Sequence, residues 1–244
     1  GSWNLDYSDN YDAKGLQGLD YLLNKRGLTE SEKVIFLTGT QNAKDYLNAL
    51  TDDLLNNINY VHDGWSNDVT DFINDYESNS DGSSISTLVN AMCLHYEFYV
   101  RRGKVGLPLG VFNAFSQTEM PEIVECYHYG QSLPFAKRAI ESLKKYINGV
   151  NYSTLENGIG LDDYMDFVGA TANNENLSTV INSQIDEILF QLNNLNDPFS
   201  SEILNNKPQV QTTYETMQNL VPYIKVDMTS ALGVLITYAD NDGD

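Results

Sequence analysis

Gly15-Leu16-Gln17-Gly18-Leu19-Asp20-Tyr21-Leu22-Leu23 is the stretch around which the rest of the chain is read. Leu16, Leu19, Leu22 and Leu23 recur at helical spacing and make an apolar stripe. Gln17 and Asp20 are three residues apart, so both side chains leave the helix on one face. Gly15 and Gly18 have no Cβ and let another backbone come close. The residue types describe an amphipathic helix whose polar side carries a carboxylate beside an amide, a candidate binding face.

Working outward, this helix is expected over residues 13–25 and ends at Arg26-Gly27, glycine taking its usual C-terminal place. Thr29-Glu30-Ser31-Glu32 is a capping-box pattern. It opens a long apolar period, Val34, Ile35, Leu37, Ala43, Tyr46, Leu47, Leu50, Leu54, Leu55 and Ile58, predicting one helix to about Val61 with a bend at Gly39. Residues 65–76 predict a shorter helix, and the polar run 78–84 a loop. A helix over 85–102 follows. Gly103-Lys104-Val105-Gly106-Leu107-Pro108-Leu109-Gly110 reads as a structured connection.

In the second half, residues 122–147 predict a long helix with a kink or a break at Pro134. Residues 158–170 predict a turn and short helix, and 177–195 a helix stopped by Asp197-Pro198. The last helix is expected over 210–235, kinked at Pro222. No segment alternates convincingly with period two, and Val234-Leu235-Ile236-Thr237-Tyr238 reads as either a short strand or helix. The fold class expected is all-α, with one helical bundle over residues 1–103 and a second over 104–244.

The chain has 244 residues and a formal charge of −20, from 34 acidic and 14 basic side chains. Such a surface repels phosphate backbones and anionic lipid, so nucleic acid is not an expected partner. No apolar run is long enough to span a bilayer. Gly1-Ser2 reads as the scar of a cleaved tag, so the lack of a visible signal peptide carries no information on location. Cys93 and Cys126 are too few for a disulfide framework and are expected to be buried free thiols.

A zinc hydrolase needs three His, Asp, Glu or Cys ligands and an open position. The H-E-x-x-H pattern is absent, and His62, His95 and His128 all lie outside the opening motif. Glu125-Cys126-Tyr127-His128 has the Glu-x-x-His spacing that shares a helical face in di-iron bundles, but it occurs once where such centres need it twice. Asp240-Asn241-Asp242-Gly243-Asp244 fails the EF-hand pattern and reads as a solvated acidic end. Neither G-x-S-x-G nor a phosphate-binding glycine loop is present.

The opening stretch resembles the G-x-H-x-x-E-(Y/F)-L-L segment of the imelysin family, the M75 peptidase-like proteins. Gly15, Tyr21, Leu22 and Leu23 match it, while Gln17 stands at the histidine position and Asp20 at the glutamate position. Lys104 to Gly110 is similar to the family's K-L-G-x-P-L-G loop. Glu125 with Ser132-Leu133 resembles its E-S-x-x-S-x-x-S-L segment, from which Cys126 and Gly130 depart. Gly160-Leu161-Asp162-Asp163-Tyr164 resembles its G-L-D-D turn, and Leu232-Gly233-Val234 and Asp240 to Asp244 its closing motifs. A helical segment normally precedes the motif helix, and residues 1–14 are all that precede it here.

The resemblance implies two packed bundles of the up-and-down four-helix kind, the N-terminal one incomplete, with a site between them. It implies a cell-envelope protein, periplasmic or anchored as an outer-membrane lipoprotein, linked to iron uptake. Ligand-binding candidates are Gly15, Gln17, Asp20, Glu125 and Asp242, and metal candidates Asp20, Glu125 and His128, with iron or zinc as the ion. A metal ion or small ligand is the expected partner, with an envelope protein as a further one. The altered motif favours binding over peptide cleavage. The alternatives are a metal-dependent M75-type peptidase and a non-catalytic protein–protein adaptor.

Overall fold

The computed structural model describes residues 4–75, 79–113 and 115–238. It is all-α, with a single two-residue β-hairpin among those residues, β1 Thr171–Ala172 against β2 Glu175–Asn176. The chain forms two compact units, Gly1–Phe72 with Glu125–Gly130, and Ile73–Val124 with Gln131–Asp244.

The first unit holds a 3-10 turn, Ser8–Ala13, then α1 (Gly15–Asn24), α2 (Glu30–Gly39) and most of α3 (Gln41–Asn74). Thr29 and Glu32 form the capping box that the sequence predicts. The single helix expected over 30–61 is instead two, because Thr40 adopts an extended conformation between α2 and α3. α3 then runs unbroken through residues 65–74, where a separate helix was expected. Leu5, Leu22 and Leu50 form the small core, with Leu19, Phe36 and Tyr46 partly buried around them. Leu16 and Leu23 of the α1 stripe stay exposed. Gly18 lies against α3, and a Cβ there would meet Leu50 at 3.2 Å and the carbonyl of Ala13 at 2.9 Å.

The second unit begins with α4 (Ser84–Leu94), whose first turn is capped by Ser83 Oγ accepting the Ser86 N–H. The helix does not stop near Gly103. It continues as a π-helical stretch, His95–Gly106, and ends in α5 (Leu107–Leu109) before Gly110. Leu107 N–H reaches back five residues to the Arg102 carbonyl, the wide turn of a π-helix. Gly106 is needed for packing, since a Cβ would sit 2.5 Å from the Phe112 ring and 2.9 Å from that of Tyr214.

The helix expected over 122–147 is also shortened. Pro121–Ile123 is a 3-10 turn, residues 125–130 are turn, and α6 spans Leu133–Ile147. Of the two expectations for Pro134 the break holds: it lies in the first turn of α6, as suits a residue with no N–H to place there. α7 (Leu161–Phe167) and α8 (Leu177–Asn193) follow the sequence expectation, while α9 (Phe199–Asn205) was not foreseen. The last helical region divides into α10 (Lys207–Gln218), α11 (Leu220–Pro222), a second π-helical stretch (Tyr223–Met228) and α12 (Thr229–Leu232). Residues 234–237 are neither strand nor helix.

α8 is the axis of this unit. Leu177, Ile181, Ile185, Ile188 and Leu192 recur every three or four residues and are fully buried against α6, α7 and α10. Two buried charges sit on the first π-helical stretch. Glu97 pairs with Lys225 at 2.9 Å and accepts the Tyr238 hydroxyl at 2.7 Å. Arg101 donates to the Tyr214 hydroxyl at 2.9 Å and to Gln218 Oε1. Each charge is therefore met by a partner of matching chemistry, the condition for keeping an ion in an apolar interior.

Candidate functional site

α1 places Gln17 and Asp20 on one face, as its sequence spacing requires, and both meet a single turn far along the chain. Asp20 Oδ2 accepts the His128 N–H at 2.7 Å, and Oδ1 accepts the Tyr129 N–H at 2.9 Å. Oδ1 also accepts Asn24 Nδ2 at 3.1 Å, one turn along the same helix. Gln17 Oε1 accepts the Cys126 N–H at 3.3 Å. Asp20 is 7% exposed. Three donors on an acceptor with about four lone-pair positions leave it close to saturated.

The turn itself is strained. Cys126 has φ +52° and Gly130 φ +78°, and the Gly130 N–H closes back on the Cys126 carbonyl at 2.8 Å. A left-handed conformation is easy for glycine and costly for cysteine, by roughly 1 kcal/mol. The acceptors of α1 therefore hold a conformation that the turn does not favour by itself. Gly15, at φ +72°, supplies the left-handed residue from which α1 starts.

Aromatic and cationic groups gather beside the pinned turn. The His128 ring lies edge-on to Tyr21 and Tyr127, each centroid 5.3 Å away. Its Nδ1 accepts the Arg26 N–H at 3.4 Å, while the Arg26 guanidinium covers the Tyr127 ring at 3.8 Å. The Lys25 ammonium stands over Tyr21 and Phe36, at 5.2 and 4.7 Å. Behind Tyr21 opens a mainly apolar cavity of about 410 Å³, lined by Leu22, Phe36, Thr40, Ala43 and Tyr46 among others. Phe36 and Lys25 escaped sequence reasoning; the signal was Tyr21, next to Asp20 in the opening motif.

The structure thus brings Gln17, Asp20, Cys126 and His128 together, with Gly15 one turn away. Glu125 and His128 are not on a helix, so the shared helical face expected for Glu-x-x-His is corrected to two positions, three apart, in the turn at 125–130. Asp242 lies outside the described residues. Among the described residues, no three His, Cys, Asp or Glu side chains lie close enough together to hold a metal ion. Both Asp20 oxygens are turned to backbone N–H groups. Cys93 and Cys126 are both free thiols; Cys93 is buried, whereas Cys126 is only half-buried, which corrects the expectation for the latter.

Other motif residues have structural work in the second unit. Asp163 caps α7 by accepting the Gly160 N–H at 3.0 Å. Asp197 accepts the Ser132 and Leu133 N–H groups at 3.1 and 3.3 Å and caps α6. Asn90 ties down the terminal segment, donating to the Leu235 carbonyl at 2.9 Å and accepting the Thr237 N–H at 2.8 Å.

Fold and site define a helical-bundle protein in which a motif helix grips a distant turn by its backbone. The family model described as imelysin, peptidase M75, matches residues 4–224, and the chain belongs to the imelysin family. Neither the curated proteins nor the solved structures compared with it give a match. Among the described residues no helix is long and apolar enough to cross a membrane.

Proposed function

We propose that this chain is a binding member of the imelysin family, acting at the cell envelope in iron uptake and without peptidase activity. The observation that carries this reading is the near-saturation of Asp20. The carboxylate at the family's glutamate position is spent on two backbone N–H groups and one amide, and Gln17 at the histidine position accepts a third backbone N–H. A group so engaged organises a turn; it is not free to activate water on a metal, which requires three converging ligands and an open position. The envelope location and the link to iron uptake rest on family membership. The ligand site is the apolar cavity behind Tyr21, whose volume and lining suit a small molecule with an apolar or aromatic body.

The test is metal content by elemental mass spectrometry after exposure to Fe(II), Fe(III) and Zn(II) and dialysis, beside a peptide-hydrolysis assay with and without chelator. The expected result is no stoichiometric metal and no chelator-sensitive hydrolysis. One retained equivalent, lost in Asp20→Ala together with hydrolysis, would establish the peptidase instead.

A further inference from the structure

One apolar face runs the whole length of α3. Ala43, Leu47, Leu50, Leu54, Ile58, Val61, Trp65, Val69 and Phe72 follow one another at steps of three or four residues and fall on a single stripe. The stripe has two fates. Its first part enters the core of the N-terminal unit, where Leu50 is fully buried. Past Leu54 the same face emerges: Ile58 is 63% exposed, Val61 57% and Trp65 49%. At 1.5 Å per residue the uncovered part from Ile58 to Trp65 extends for roughly 10 Å, and Val69 and Phe72 continue it half-buried. A row of large apolar side chains in register with a buried row is a packing surface, and scattered exposed apolar residues would show no such register.

The charge around the stripe identifies what fits it. Residues 45–100 contain neither lysine nor arginine. The exposed half of α3 carries Asp63, Asp68 and Asp71, and helical spacing puts Asp68 and Asp71 along one edge of the stripe, while Asp53, nearer the core, pairs with Lys14 at 3.6 Å. A second copy would bring the same row of carboxylates, on a chain of formal charge −20, against the first. Like charges facing each other oppose that pairing.

We infer that the exposed half of α3 is a docking face for a basic amphipathic helix of a partner protein. The partner's apolar residues would lie on Ile58, Val61 and Trp65, and its lysines or arginines along Asp68 and Asp71. This is the helix-in-groove mode of recognition, with acidic edges selecting a cationic partner.

Trp65 reports on the face directly, because the only other tryptophan is Trp3. In the Trp3→Phe chain, Trp65 emission is followed while a synthetic Leu/Lys peptide of about 18 residues, patterned as an amphipathic helix, is added. A peptide of the same composition with scrambled order and a Leu/Glu peptide of the same pattern are run beside it. The expected result is a blue shift and saturable binding with the patterned Leu/Lys peptide, at least about tenfold weaker for either control. Ile58→Ser/Val61→Ser should weaken binding by about tenfold or more, and Asp68→Asn/Asp71→Asn should flatten its salt dependence. These positions are exposed, and far-UV circular dichroism verifies that the variants remain folded.

Three outcomes overturn the inference. Equal binding of the scrambled peptide means charge alone. Equal binding of the Leu/Glu peptide means apolar contact alone. A dimer in sedimentation that Ile58→Ser/Val61→Ser dissolves means that a second copy occupies the face.

Discussion

The two units solve the same problem with opposite means. In the C-terminal unit a continuous apolar interior runs from Val89 to Val234, with α8 at its centre and the buried Glu97 paired with Lys225. In the N-terminal unit the buried apolar cluster, among the described residues, is Leu5, Leu22 and Leu50, with Ala43 buried as well. A unit with so little buried apolar surface is marginal by itself. Its order depends on polar acceptors, Asp20 and Gln17, that close it onto the turn at 125–130. The lesson is that a motif placed where catalysis is expected can instead substitute for the core that its unit lacks.

Each unit holds one cysteine, which makes the contrast measurable. The largest difference should be in thiol labelling. Burial pushes the Cys93 thiol up to about 12, while Cys126 is half-buried. At about pH 8, Ellman's reagent should label one thiol in the native protein and two in denaturant, with native Cys93 slower by two orders of magnitude or more. Mass mapping of the label checks which thiol reacts first.

Ile188→Ala removes a fully buried side chain from α8 and should cost the C-terminal unit about 3 kcal/mol. In denaturant titration of the Trp3→Phe chain, Cys93 labelling should move to lower concentration while the change in emission of Trp65, which lies in the N-terminal unit, stays in place. Asp20→Ala should do the reverse. It leaves the His128 and Tyr129 N–H groups without their acceptor and should cost about 2–3 kcal/mol in the N-terminal unit alone. If either substitution moved both transitions equally, the two units would be one cooperative block and the contrast would fail.

Alkali should act on the C-terminal unit. The Cys93 thiol ionises near 9.0 when unfolded and only at about 12 when folded, and burial likewise raises the Tyr146 hydroxyl from 10.0 to about 12. Between those values the folded state holds more protons than the unfolded one, so stability falls as pH rises through 9 toward 12. Thermal melts over that range should show the decline, and Cys93→Ala should remove the part that begins near pH 9. The smallest effect concerns the turn. Cys126→Gly should relieve the left-handed backbone and stabilise the N-terminal unit by about 0.5–1 kcal/mol, read as a higher midpoint by circular dichroism.

Much of this was legible in the chain. Periodicity located α1, α6 in its later turns, α7 and α8, because each buries a stripe whose spacing is fixed by the helix itself. The capping box at Thr29 and Glu32 was local and therefore readable. Where neighbours decide, the reading failed. Gly103 and Gly106 looked like a break, yet the backbone stays helical through both, with Phe112 and Tyr214 packed against Gly106. Glu125 to Gly130 looked helical, yet Asp20 and Gln17 draw their N–H groups away from helical partners. The adjacency of Gln17 and Asp20 was visible in the sequence, but their partners were not. Those partners are backbone N–H groups, which every residue carries and no motif marks.

The sharing of residues 125–130 also sets an order of assembly. The N-terminal unit leaves its own sequence at Phe72 and takes its last piece from Glu125–Gly130. During synthesis, Asp20 and Gln17 wait without their acceptor roles until the chain has grown past Gly130. Contacts between such distant residues carry a loop-closure cost that local helix pairs avoid. A truncated chain ending at Asp75 would contain all of α1, α2 and α3 and still be unfinished. This unit is first in sequence and among the last to be completed.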